Sequence, residues 1–260
     1  MTKKFRPGQT STSILYLLRF KKGGTMFYMD PLYLFVMFFS LVLSLWATAK
    51  VKGAFARYRK VSSESGLTGA EVAQRMLHAA EVHAHVGPVT RRALFGMGGD
   101  GGDLSDHYDP RTKSVHLSPH VYTGSSIAAQ AIAAHEVGHA IQHAQGYAPL
   151  KFRNLITPVA AFGSNISYFL ILIGFVMNAL SLVKIGILLF GIAVVFQLIT
   201  VPVELDASRR AKEFLLQSGI IQPTEQKGVA AVLNAAALTY VAAAATALLN
   251  LAYLILRARE

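Results

Sequence analysis

Four stretches of this chain carry no charged residue, and they limit its fold more than any motif does. Leu32–Ala49 runs 18 residues, Leu155–Val183 runs 29, Ile185–Val203 runs 19 and Gly228–Leu256 runs 29. About 20 apolar residues in a helix cross a hydrocarbon core of ~30 Å. A soluble globule of 260 residues has too little interior to bury four such helices. The pattern therefore predicts a mainly α integral membrane protein with about four transmembrane helices. Charged residues make up only 15% of the chain, against about 25% in soluble domains, and the deficit falls in these runs.

Charge orients the spans. Lys50, Lys52, Arg57, Arg59 and Lys60 follow the first run with no acid among them, which places that end in the cytoplasm. Such loops account for the net charge of +11. No basic stripe interleaved with aromatics marks a nucleic-acid surface, so no nucleic-acid partner is expected. Lys184 alone separates the two middle runs, which read as a hairpin that crosses the bilayer and returns. Asn234, Thr239 and Tyr240 lie in the first half of the last run. Its helix is expected to begin beside the water-exposed part and to enter the membrane near residue 238. Arg257 and Arg259 would then lie outside, against the charge bias. Residues 1–25 are basic and Thr/Ser-rich, and the apolar run after them has no small-residue cleavage site of the kind a signal peptide requires. They end in Lys-Lys-Gly-Gly-Thr ahead of Met26. A purine-rich ribosome-binding run translates to Lys-Lys-Gly-Gly, so Met26 is read as the start and 1–25 as an extension that is not native. A native N-terminal peptide covering Thr2–Lys21 in a mass spectrum would overturn that reading.

Residues 61–150 form the only long water-compatible region. Thr68 followed by Glu71 is a capping-box pair for a helix over about 69–80. "EVHAHV" reads as a short strand, and "RRALFGMGGDGG" as a loop without the Lys-Ser/Thr that a phosphate loop needs. "LSDHYDPRTKSVHLS" reads as a hairpin over 104–117 turning at Asp109-Pro110. A helix is expected from Ser125 to Gln145, stopped by Gly146 with Pro149 beyond.

That last helix carries "AAHEVGHAIQH". Residues four apart stack on one helix face, so His135 and His139 can grip one ion. Glu136 sits about 100° round the helix, beside the open coordination position, where a general base takes a proton from metal-bound water. With nine histidines in the chain, a chance match to His-Glu-x-x-His has a probability of roughly 1%. There is no Cys, so zinc would use only His, Asp or Glu. His143 lies one turn further on. Three histidines at this spacing span about 12 Å of helix axis, too far for one ion, so His143 is read as a bystander. The extended metzincin pattern would need Gly at 142 and His at 145, and both are Gln. The better third ligand is Glu204, in "VPVELDASRRA" directly after the returning span. A carboxylate at a membrane boundary requires a partner, and a hairpin brings it back to the side of His135 and His139.

The blocks "SGLTGAEVAQRML", "LSDHYDPRTKSVHLS", "AAHEVGHAIQH", "PVELDASRRA" and "LNAAALTYVAAA" resemble the YugP-type membrane zinc metallopeptidases of bacteria, over most of the chain from Met26 on. The order of motifs is also similar to the wider HtpX-like gluzincins. The resemblance implies Zn2+ held by His135, His139 and Glu204, with Glu136 as catalytic base, and a polypeptide substrate, membrane or misfolded proteins included. The wider group carries Asp four residues after the ligand Glu to orient a ligand His. Here that position is Ser208, and the Asp is Asp206, so the orienting group stays open between them. Tyr240, His107 and Arg209 are unranked options for the oxyanion donor. His78, His83, His85, His116 and His120 read as surface or packing residues.

The organisation expected is an extension over 1–25, a first membrane helix over 26–50, a cytoplasmic zinc-peptidase region over 51–150, a membrane hairpin over 151–203, a third-ligand helix and loop over 204–228, and a C-terminal helix over 229–260 that spans. The function expected is a membrane-anchored zinc endopeptidase in the bacterial plasma membrane, its site facing the cytoplasm. An intramembrane-cleaving protease and a non-catalytic zinc-binding scaffold are the alternatives. The second fits poorly, because a structural zinc takes four protein ligands.

Overall fold

The computed structural model describes residues 30–89 and 105–259. The expectations for residues 1–25 and for "RRALFGMGGDGG" lie outside them. The described chain is mostly helical, with one small sheet. Four helices are long and apolar enough to cross a membrane: α1 (Pro31–Tyr58), α5 (Ala148–Val176), α6 (Leu180–Gln217) and α7 (Gln226–Arg257). The shorter helices are α2 (Gly69–Ala79), α3 (Pro119–Tyr122) and α4 (Ile127–Ala144), and the strands are β1 (His85–Pro88), β2 (His107–Asp109) and β3 (Ser114–Leu117).

Local chemistry explains most boundaries. Asp30 caps α1 by accepting from the Leu32 N–H at 2.9 Å, with Pro31 in the first turn. The helix then runs on through the basic segment to Tyr58. Both halves of the capping box form at α2: Thr68 Oγ1 accepts from the Glu71 N–H, and Glu71 accepts from the Thr68 N–H. Glu81 takes a left-handed backbone (φ 54°) after α2, so the first strand starts at His85 rather than within 81–84. The hairpin turns at Asp109, whose carboxylate accepts from the Arg111 N–H and the Thr112 hydroxyl. Among the described residues strand β3 is central, with β1 parallel on one side and β2 antiparallel on the other, which makes β2 an edge there.

In the membrane part α5 packs along α6, α6 along α7, and α7 along α1. The α5–α6 turn sits at Met177–Ala179, ahead of Lys184, which lies inside α6. Asn178 supplies the left-handed residue there (φ 51°), a conformation Asn adopts more readily than most side chains. Small residues let the pair close: a Cβ on Gly186 would lie 3.0 Å from the Ser167 carbonyl oxygen. Helix α6 continues unbroken past Glu204, so the expected division at 203/204 falls within one helix.

Helix α4 is central to the water-compatible part and is buried on nearly every side. It packs against α2, α6 and α7. Its N-terminus is capped by Ser126, and it ends at Gly146, which takes φ 65°. Buried polar side chains tie the surrounding loops down. Gln130 Nε2 donates to Ser65 Oγ and to the Leu67 carbonyl. Glu225 accepts from the Glu64 and Gln222 N–H groups, joining the loop after α1 to the start of α7.

Candidate metal centre

Helix α4 presents His135 and His139 one turn apart, their ring centroids 4.8 Å from each other and edge-on. Helix α6 brings Glu204 against them. Its Oε2 lies 3.2 Å from His135 Nε2 and 3.5 Å from His139 Nε2. The three ligand atoms fall within 4.8 Å of one another, and this is the one group of three or more such residues among the described residues able to hold an ion. The Glu204 side chain is 3% exposed and the imidazoles 13% and 12%, so this is an enclosed centre.

The reason Glu204 arrives there is close helix packing. Val203, Glu204, Ala207, Ser208 and Ala211 form one buried face of α6. Gly138 lets that face touch α4: a Cβ there would lie 2.8 Å from the Ala207 carbonyl oxygen and 3.1 Å from its Cα. Gly138→Ala is therefore expected to push α6 away and to weaken zinc binding about 10-fold or more. Competition with a chromogenic chelator measures this, and an unchanged affinity would refute it.

Each histidine is held from behind. Ser208 Oγ is 3.2 Å from His135 Nδ1, and Gln142 Oε1 is 3.0 Å from His139 Nδ1. Because Gln142 Oε1 only accepts, Nδ1 of His139 is the donor in this contact, and Nε2 is the nitrogen that faces Glu204. Gln142 Nε2 donates to the Val203 carbonyl at 2.8 Å and to Asp206 Oδ2 at 2.9 Å. Asp206 also accepts from Arg209 and Arg210. Of the two residues left open as orienting groups, Ser208 touches His135 directly and Asp206 reaches His139 through Gln142. The Gln142 that breaks the metzincin pattern is the connecting group. Losing either contact, in Gln142→Ala or Ser208→Ala, is expected to cost about 10–100-fold in zinc affinity, read by the same competition.

Burial pulls the His139 pKa down, but the hydrogen bond and charge of Glu204, with Glu136 and Gln142 behind them, outweigh it and raise the pKa. Two imidazole nitrogens and a carboxylate oxygen converge here. A cation satisfies that arrangement, and an N, N, O set suits zinc.

Glu136 is buried beside His135 and lines a cavity of about 360 Å³ with Asp106, Tyr240, Thr48 and Lys52. Burial, seconded by the Glu136 charge, pushes Asp106 up to about 6 against the hydrogen bonds it accepts from Ser118. Of the oxyanion options, Tyr240 alone lines this cavity. His107 is on the opposite side of the sheet from Asp106 and Tyr108, stacked on His116 at 5.0 Å, with Nδ1 against the Ser105 carbonyl. Arg209 is half-exposed and engaged by Asp206 and Glu213. His143 is outside the ligand group, as its spacing predicts, yet not idle: its Nδ1 is 2.9 Å from the Tyr108 hydroxyl, which ties edge strand β2 to α4. Among the described residues, His78, His83, His85, His116 and His120 lie in no such ligand group.

One neighbour of the centre was not legible from the motifs. Arg153, near the start of α5, places Nη1 3.5 Å from Glu204 Oε1. A cation close to an uncharged run was its only signal.

The chain is 46% identical over 221 residues to "Putative membrane protease YugP" of Bacillus subtilis (strain 168), covering 85% of this chain and 93% of that protein. No solved structure matches it significantly. The model of a protein family described as "Putative neutral zinc metallopeptidase" matches residues 33–259, which hold every residue of the centre. With four apolar helices around a His-Glu-x-x-His helix, this membrane protein belongs to that zinc metallopeptidase family.

Proposed function

We propose that the protein is a membrane-anchored zinc endopeptidase, with zinc held by His135, His139 and Glu204 and with Glu136 as general base. The observation that carries this is the convergence of three ligand atoms beside a cavity that holds Glu136. Three protein ligands leave the position that a catalytic zinc keeps open. Zinc, when bound, makes a water acidic near neutral pH and polarises the scissile carbonyl. Glu136 would take a proton from the attacking water and return it to the leaving amine. Tyr240, reaching the same cavity from α7, is placed to donate to the carbonyl oxygen as charge develops on it. The free edge of β2 offers backbone groups to an extended substrate, which adds as a further strand. The Tyr108–His143 bond holds that edge over α4.

The site is assigned to the cytoplasmic face of a bacterial plasma membrane. Support comes from the Lys50–Lys60 cluster at the end of α1, on the same end as the cavity wall formed by Thr48, Val51 and Lys52. The wall's other side, Ala236, Thr239 and Tyr240, lies where α7 is expected to enter the bilayer. Polypeptides close to the membrane surface are the substrates this position favours, and no nucleic acid is involved. Placement beside the bilayer, rather than within it, is favoured because Glu204 follows the uncharged run and α4 packs against the sheet-bearing part.

The test is cleavage of an unstructured polypeptide by the full chain in detergent. Activity is expected to vanish when a chelator takes the zinc content well below one equivalent, and to return on adding zinc. Undiminished cleavage by the stripped protein would end this reading.

A further inference from the structure

Resting on the metal centre just described, we propose that Arg153 is a positioning residue. It holds one oxygen of Glu204 so that the other alone serves the metal, and so keeps the centre four-coordinate with its water in place. The two oxygens of this carboxylate have different surroundings. Oε2 faces both His135 and His139, and Oε1 faces Arg153. A carboxylate that turned both oxygens to the metal would, with two imidazoles and the water, make five donors where a catalytic zinc site keeps three protein ligands and one open position. The ion pair with Arg153 opposes that rotation.

Several features make Arg153 suited to this. It comes from a different helix than Glu204, so its position is not fixed by helical spacing. Its guanidinium lies over the Phe196 ring, 6.0 Å from the centroid, about two turns before Glu204 on α6. The side chain is 27% exposed, so a cation near the bilayer boundary is kept half-buried, a placement that needs a specific partner. Arg209 and Arg210, the nearest cations on α6 itself, are both bonded to Asp206. Among the described residues, the ion pairs formed by Glu204 are those with His135, His139 and Arg153.

Plain charge neutralisation of a buried carboxylate would make different predictions. It needs a cation only while no metal is bound, and coordination in the loaded protein would then be indifferent to residue 153. The experiment uses the full chain in detergent, loaded with Co2+ in place of Zn2+, because the visible absorption of Co2+ reports its coordination number. The wild type and Arg153→Lys are expected to show the intense bands of four-coordinate cobalt at one equivalent. In Arg153→Ala the cobalt is retained with about 10-fold weaker affinity, its bands fall several-fold to the intensity of five-coordinate cobalt, and cleavage falls in parallel. An Arg153→Ala protein with wild-type spectrum and affinity overturns the proposal. So does one that loses cobalt together with its helical circular dichroism, since Arg153 would then be holding the fold. A wild type that gives the four-coordinate spectrum but cleaves nothing refutes the peptidase assignment and leaves the role of Arg153 standing. A wild type that takes up no cobalt fails both at the metal.

Discussion

Glu136→Gln is expected to keep one equivalent of zinc and to lose peptide cleavage by about two to four orders of magnitude, the usual contribution of a general acid–base group. The two halves of this result separate the roles of adjacent residues. Glu136 is not in the group of converging ligand atoms, whereas His135 is. The amide of Gln has nearly the volume of the carboxylate, so the packing of α4, buried on nearly every side, is preserved. What changes is the negative charge, the basicity that goes with it, and one acceptor oxygen that becomes an NH2 donor. A loss of zinc in Glu136→Gln would move Glu136 into the ligand set. Cleavage within about 10-fold of wild type would remove it from the proton path. Zinc content by elemental analysis and cleavage of one unstructured polypeptide, measured on the same preparation, distinguish the cases.

How far the sequence leads depends on the range of the interaction. Features set by neighbours along the chain are legible: the uncharged runs, the Thr68–Glu71 capping box, the turn at Asp109 and the i, i+4 spacing of His135 and His139. The runs are fixed by composition along the chain, and the others by residues within about one helical turn or one hairpin. The positions that differ depend on contacts across the fold or on backbone geometry that carries no charge. The α5–α6 turn follows a left-handed Asn178, whereas Lys184, the marker the sequence offers, rides inside α6. The orienting groups could not be chosen by helical spacing within α6, because Asp206 acts through Gln142 on another helix. His143 looks redundant on α4, and only the fold brings Tyr108 to it. Arg153 is the extreme case, an ion pair between separate helices with no motif to announce it. Glu204 was within reach because topology supplied the missing information: a hairpin must return a boundary carboxylate to the side it left.

Removing that carboxylate has the second large expected effect. Glu204→Ala should lower zinc affinity by more than the roughly 10–100-fold that outer-shell losses cost, because a ligand is removed and not merely loosened. It should also leave Arg153 beside the two imidazoles without its counter-charge, so that a cation faces the site where a metal ion would enter. Glu204→Gln separates these effects. It restores an oxygen of similar reach but no charge, and its NH2 group meets the Arg153 guanidinium as donor against donor. Gln is therefore expected to recover part of the packing and little of the affinity. If the ligand role of Glu204 is right, both variants bind zinc far more weakly than Gln142→Ala or Ser208→Ala. The reverse order, with Glu204→Ala retaining zinc better than Gln142→Ala, would reassign the third ligand. The same titration, run on Glu204→Ala combined with Arg153→Ala, tests how the two residues act. In the intact protein Arg153 supports the centre through Glu204, so its loss should cost nothing further once Glu204 is gone, and removing the stranded cation should return some of the affinity.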